Sequence, residues 1–214
     1  MQTLSLDGVV AKIPDGASLM IGGFMGVGTP ERLIDELVRQ GKRDLTVIAN
    51  DTAMVGRGIG KLITAQLVRK VIASHIGLNP ETQQKMLAGD IEVDLVPQGT
   101  LIERIRAAGY GLGGILTPTG VGTVVEQGKR KLEVDGREYL LETPLAADFA
   151  LVEAFLADYF GNLTYALTAR NFNPVIAMAA KTVIVDAEHI VPVGVIPPDQ
   201  VMTPAPLVDY LVAR

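Results

Sequence analysis

Between Leu19 and Gly41 the chain reads LMIGGFMGVGTPERLIDELVRQG, so three apolar residues run into Gly22, Gly23, Gly26 and Gly28 and a helix-start signal follows at once. A glycine loop between strand and helix leaves backbone N–H groups at the positive end of a helix dipole. That setting favours a phosphate, a carboxylate or a developing oxyanion. Glu31, in the first turn, supports the dipole yet repels an anion, so the segment reads equally as a tight turn that carries no ligand. The spacing excludes a P-loop, because no GxxxxGK[ST] is present. Read as GxGxxG the register fails at Glu31, which leaves a dinucleotide-dependent oxidoreductase as a distant reading.

Other candidates stand at the ends of expected strands. Asn50 and Asp51 follow Leu45 to Ala49, and Gln98 and Thr100 follow Glu92 to Val96. Open α/β sheets bind ligands at such strand ends. All but Asp51 are neutral hydrogen-bonding groups, suited to orienting a carbonyl, carboxylate or amide and unsuited to strong acid, base or nucleophile work. His75, in Ser-His-Ile-Gly, could face a site, while His189 is expected in a surface turn; neither has a cluster of ligands around it, and a zinc site needs more. Among 24 acidic residues no local pair marks a catalytic dyad. Glu142 and Glu153 are the best local nucleophile candidates, with structural placement the stronger reading of both.

The elements that position these residues follow from periodicity and turn chemistry. Leu6 to Ile13 is expected as a short helix and Ser18 to Ile21 as the first strand. Thr29 is read as the N-cap and Pro30 as the first residue of a helix carrying Leu33, Ile34, Leu37 and Val38, closed by a left-handed Gly41. Further strands are expected at Lys70 to Ala73, Asp148 to Ala154 and Thr182 to Asp186. Helices are expected after the Asn79-Pro80 cap, from Leu101 to Ala108, from Val175 to Ala180 and, in the proline-punctuated tail, from Leu207 to Val212. Lys131 to Val134 and Arg137 to Leu141 flank Asp135-Gly136 as a β-hairpin. Gly109 to Thr123, with six glycines, reads as a long functional or mobile loop. The fold class is therefore α/β: an open, mostly parallel sheet flanked by helices with a β-hairpin excursion, in a single domain over residues 1–214.

Composition agrees. Hydrophobic residues make up 48% and aromatics only 5%, an aliphatic balance that suits a parallel sheet covered on both faces. A mean hydropathy of +0.31 without a run of eighteen apolar residues argues against a membrane span and for an apolar surface used in a subunit interface. A net charge of −5 offers no electrostatic footprint for nucleic acid. The absence of cysteine excludes disulfides and thiolate catalysis, and no secretory signal is visible at the N-terminus, so the cytoplasm is the expected compartment.

The succession Asp15-Gly16, Leu19-Met20-Ile21, Gly22-Gly23-Phe24, Gly28 and Pro30 resembles the signature of α subunits of class I CoA-transferases. The likeness continues through IAND (Ile48 to Asp51), SHIGLNPET (Ser74 to Thr82), VPQGTL (Val96 to Leu101), GGILTPTGVGT (Gly113 to Thr123) and ARNFNP (Ala169 to Pro174), and is most similar to acetate or acetoacetate (3-oxoacid) enzymes. The resemblance implies coenzyme A as substrate and product, no metal, and exchange of CoA between a short-chain acyl-CoA and a free carboxylate through a glutamyl-CoA thioester. In such enzymes the glutamate sits in a Ser-Glu-Asn-Gly-type motif of the β subunit. No Glu-Asn-Gly occurs here, and Glu126-Gln127-Gly128 is only a faint echo, so no catalytic residue is expected in this chain and an α2β2 partner is. By the same resemblance Phe24, Met25, Gly26, Val27, Gly28, Thr29 and Pro30 form the CoA-binding segment, and Asn50 and Gln98 orient substrate across the subunit boundary. Two alternatives stay open: a sugar-phosphate isomerase or deacylase on a related scaffold, which would need Glu142 or Glu153 as its base, and a non-catalytic acyl-CoA-binding module.

Overall fold

The computed structural model describes residues 1–213. Its core is a nine-stranded sheet whose strands number, in chain order, β1 (Gln2–Leu4), β2 (Ser18–Ile21), β3 (Leu45–Asp51), β4 (Val68–His75), β5 (Glu92–Leu95), β9 (Ala147–Asp158), β10 (Leu163–Thr164), β11 (Ala180–Val191) and β12 (Tyr210–Val212). A separate three-stranded antiparallel sheet holds β6 (Ile115–Thr117), β7 (Lys131–Val134) and β8 (Arg137–Glu142). The large sheet runs β1-β12-β11-β9-β2-β3-β4-β5 with every neighbour parallel, and β10 adds antiparallel to β9.

The order carries the argument. From β2 the chain builds outward through β3, β4 and β5, then returns after the small sheet to lay β9 on the other side of β2. Connections diverge between β2 and β9, which makes the C-terminal ends of those two strands the topological switch point. There β2 stops at Ile21, opposite Leu151, while β9 and β11 continue together as far as Asp158 and Val191 and overhang the sheet end.

Alternation along the strands supplies both cores. Leu19, Ile21, Val47, Ala49, Val71 and Ala73 face α1 (Leu6–Ala11), α2 (Glu31–Gln40) and α3 (Gly60–Thr64), joining Val9, Leu33, Leu37 and Leu62. Met20, Ile48, Ile72, Ala150 and Val152 face the other way, toward Leu101 and Ile105 of α5 (Gln98–Gly109) and Ile176 of α6 (Asn173–Ile176). α4 (Pro80–Ala88) begins as its sequence implies, with Asn79 accepting from the Thr82 N–H. No helix among the described residues is long and apolar enough to cross a membrane.

Several expectations are corrected. Thr29 is not an N-cap: α2 starts at Glu31 behind Pro30, and the Thr29 hydroxyl instead donates to Gly22 O at 3.1 Å. The tail from Leu207 to Val212 is not a helix. A 3₁₀ turn at Ala205–Leu207 leads into β12, whose Leu211 and Val212 are buried between β1 and β11, a slot that only an extended chain fills. Ile115–Thr117, inside the expected loop, pairs with β8, so the excursion is three-stranded. The helix expected from Val175 shrinks to α6 because Ala180 already belongs to β11, and His189 lies in that same strand, not in a turn. The hairpin turn itself stands as expected, with Asp135 and Gly136 both at positive φ.

Candidate functional site

The glycine loop fills the switch point. Gly22 donates to Leu151 O at 3.1 Å, then Phe24 and Val27 exchange two backbone hydrogen bonds of 2.9 Å around Met25 and Gly26, both at positive φ. The Met25 N–H of this turn is held by Asp51 Oδ2 at 2.8 Å, and Asp51 Oδ1 accepts from Ala53 N at 2.7 Å. Asp51 is buried and both its oxygens are committed to backbone, so it sets the relation between two loops.

Beneath the loop lies Asn173, fully buried, whose Nδ2 donates to Gly28 O (2.9 Å) and Ala169 O (3.0 Å) while Oδ1 accepts from Glu153 N (3.0 Å). Glycine is required here for space as much as for φ. A Cβ on Gly22 would run into the Asn173 amide, and one on Gly28, at φ +75°, would stand 2.7 Å from Ala169 Cα and Cβ. The sequence reading missed Asn173 as a loop support; a lone asparagine before proline reads as a helix start, and only the fold carries it under Gly28.

The result is a rigid turn with unused donors. Among the described residues no acceptor engages the N–H groups of Gly26 or Gly28. Glu31 does not spoil the field as its sequence position suggested, because Lys61 Nζ sits 2.7 Å from its carboxylate and Gly58 N donates to it at 2.9 Å. Gly58 belongs to the same turn as Arg57, whose Nε would be 2.8 Å from a Cβ on Gly26. Among the described residues no carboxylate pairs with Arg57, so a positive charge lies across the loop.

Asn50 and Gln98 share the C-terminal edge of the sheet with this loop, at the ends of β3 and β5 and separated by β4. Asn50 is buried; Ser74 Oγ lies 2.7 Å from its main-chain oxygen and 3.0 Å from Oδ1, and its Nδ2 has no hydrogen-bond partner among the described residues. Gln98 is exposed as the first residue of α5, and Thr100, two residues on, is buried with a hydroxyl that has no partner among the described residues. Neither bonds to the glycine loop. His75 is exposed at the end of β4, against Gly77.

The two carboxylate candidates separate. Glu142 is buried in the small sheet with Lys129 at 2.5 Å and Arg104 at 3.9 Å, which makes it the counter-ion that fastens that sheet to α5. Glu153 lies beside the loop: with Val27, Gly28, Phe155, Ala169 and Glu188 it lines a cavity of about 90 Å³. A wider groove of about 590 Å³ begins on the other side of Phe155 and Ala166 and runs to Arg170, Ile196 and Met202. In its wall Tyr165 is pushed to a higher pKa by burial, and its hydroxyl meets Thr203 Oγ1 at 2.6 Å.

Comparison with known proteins shows which family the chain resembles. The family model for "Coenzyme A transferase" matches residues 3–214. The acetate CoA-transferase subunit alpha of Escherichia coli K12 is 58% identical over 198 residues, 92% of this chain and 90% of that one. The acetoacetyl-CoA:acetate/butyrate CoA transferase alpha subunit of Clostridium acetobutylicum is 53% identical over 92% of this chain and 91% of its own length. Among solved structures, an acyl-CoA transferase from Escherichia coli O157:H7, described as a thioester complex with CoA, superposes with a TM-score of 0.85 at 28% identity, covering 99% of this chain and 47% of the longer one.

Proposed function

This chain belongs to the coenzyme A transferase family, and from that premise we propose that it is the α subunit of an α2β2 cytoplasmic enzyme. The enzyme moves CoA between a short-chain acyl-CoA (acetyl-, acetoacetyl- or butyryl-CoA) and a free carboxylate. The observation that carries the reading is the rigid turn at the switch point, with the N–H groups of Gly26 and Gly28 left over and Arg57 across it. Residues 1–214 act as one domain that offers Phe24 to Pro30 to the CoA thioester, with Asn50 and Gln98 orienting substrate at the subunit boundary.

In the chemistry that the family implies, a carboxylate oxygen of a β-subunit glutamate attacks the thioester carbonyl. The C–S bond breaks, CoA leaves as thiolate and an acyl-glutamyl anhydride remains. The thiolate then attacks the glutamyl carbonyl, expelling the acyl group as a free carboxylate and leaving glutamyl-CoA thioester. An acceptor carboxylate repeats the sequence in reverse, so no proton or electron is gained or lost. At each attack charge develops on a carbonyl oxygen. Fixed N–H donors are suited to hold it, each contributing about 3 kcal/mol where such donors have been removed.

The test is CoA exchange between acetoacetyl-CoA and acetate by the chain alone and by the chain co-expressed with its β subunit. Activity in the pair only is expected, and activity of the chain alone overturns the split-site reading. In the assembled enzyme Gly28→Val, which strains φ and drives a side chain into Ala169, is expected to lower kcat/KM by about 100-fold or more; retained kinetics would remove the loop from the site.

A further inference from the structure

The cavity against Val27 and Gly28 has a shape and a charge that bear on which acyl groups enter. If loop N–H groups hold the thioester oxygen, the chain on the same carbonyl carbon has to leave into space that touches the loop, and this cavity is lined by loop residues. Its volume of about 90 Å³, far below the 590 Å³ of the neighbouring groove, suits a short chain. Butyryl and acetoacetyl groups, with three carbons beyond the carbonyl, are short chains of that kind.

Two residues set its limits. Phe155 belongs to both the small cavity and the 590 Å³ groove behind it, so its ring is the partition between them. The ring is steadied edge-on by His189, with centroids 5.4 Å apart and planes at 85°. Glu188 pairs in register beside Phe155, since Ala187 and His189 lie opposite Ala154 and Leu156, and it closes the same wall. Because Glu188 is exposed, its carboxylate stays hydrated at no cost to an uncharged guest. A guest ending in its own carboxylate would meet like charge from Glu188 and from Glu153, which lines the same cavity.

We propose that this cavity receives the acyl group, that Phe155 limits its length and that Glu188 excludes acyl groups ending in a carboxylate. The enzyme then takes short uncharged acyl chains and rejects dicarboxylic ones. This rests on the CoA-transferase reading above.

The experiment compares kcat/KM for acetyl-, butyryl-, hexanoyl- and succinyl-CoA with acetate or butyrate as acceptor, using the assembled αβ enzyme. Phe155→Ala joins cavity to groove, and the hexanoyl-to-butyryl ratio is expected to rise about fifteenfold, from about fourfold per added methylene. Ala166→Leu adds bulk at the other residue that lines both spaces and is expected to lower the butyryl-to-acetyl ratio, which keeps the test alive if Phe155→Ala fails to fold. Glu188→Gln is expected to raise the succinyl-to-butyryl ratio about tenfold, an effect that weakens in high salt. Ratios that stay within twofold of the wild type, with wild-type exchange intact, overturn this proposal alone. Absence of exchange in the wild-type assembly overturns the transferase reading instead.

Discussion

At the scale of single residues, the site depends on side chains that never meet solvent. Asn173 spends two donors on Gly28 O and Ala169 O and its acceptor on Glu153 N, so it ties the loop, the 3₁₀ turn Leu167–Arg170 and β9 at one point. Asn173→Asp preserves volume but turns two donations into contacts between a carboxylate and two carbonyls. It is expected to cost about 3 kcal/mol, readable in thermal melts, and to lower CoA exchange at least tenfold in the folded fraction. A full rate with lowered stability would separate Asn173 from the function of the loop. Glu142, the other buried polar anchor, stands apart because its partners Lys129 and Arg104 belong to the excursion and α5.

At the scale of elements, β2 and β9 are held together at both ends. The C-terminal end carries the loop; the N-terminal end carries Asp148, whose carboxylate accepts from Ser18 Oγ at 2.7 Å and Ser18 N at 3.1 Å and pairs with Lys181 at 2.9 Å. The Ser18 hydroxyl first, then Lys181, then the Ser18 N–H hold its pKa down to about 2. A depressed carboxylate stabilises the fold above its unfolded value near ~3.9 and loses that contribution as pH falls through the folded one. Asp148→Asn is therefore expected to lower stability at pH 7 by about 1 kcal/mol, a modest value because Asp148 is half-buried and Lys181 is exposed. The gap in Tm between wild type and variant is expected to close between about pH 4 and pH 2. A gap that persists at pH 2 would assign the cost to packing.

At the scale of the whole molecule, the loop is rimmed by apolar side chains that a solitary chain leaves in water: Phe24, Val27, Val55 and, at 84% exposure, Leu167. Such a patch beside a functional loop suits burial against a second subunit. Leu167→Asp is expected to weaken assembly with the β subunit at least tenfold, measured as the concentration at which the complex dissociates on size-exclusion chromatography. Unchanged assembly would move the interface elsewhere. The sequence alone determined the strand from Ser18 to Ile21, the glycine loop, the left-handed stop at Gly41 and the Asp135-Gly136 hairpin, because each is decided by neighbours a few residues apart. Only the tertiary structure decided that the tail becomes β12, that Thr29 turns back to Gly22 and that Asn173 supports Gly28. The first and last depend on partners brought together from distant parts of the chain, Asn173 and Gly28 being 145 residues apart; the Thr29 bond spans only seven residues and follows from a buried hydroxyl having to find an acceptor inside the fold.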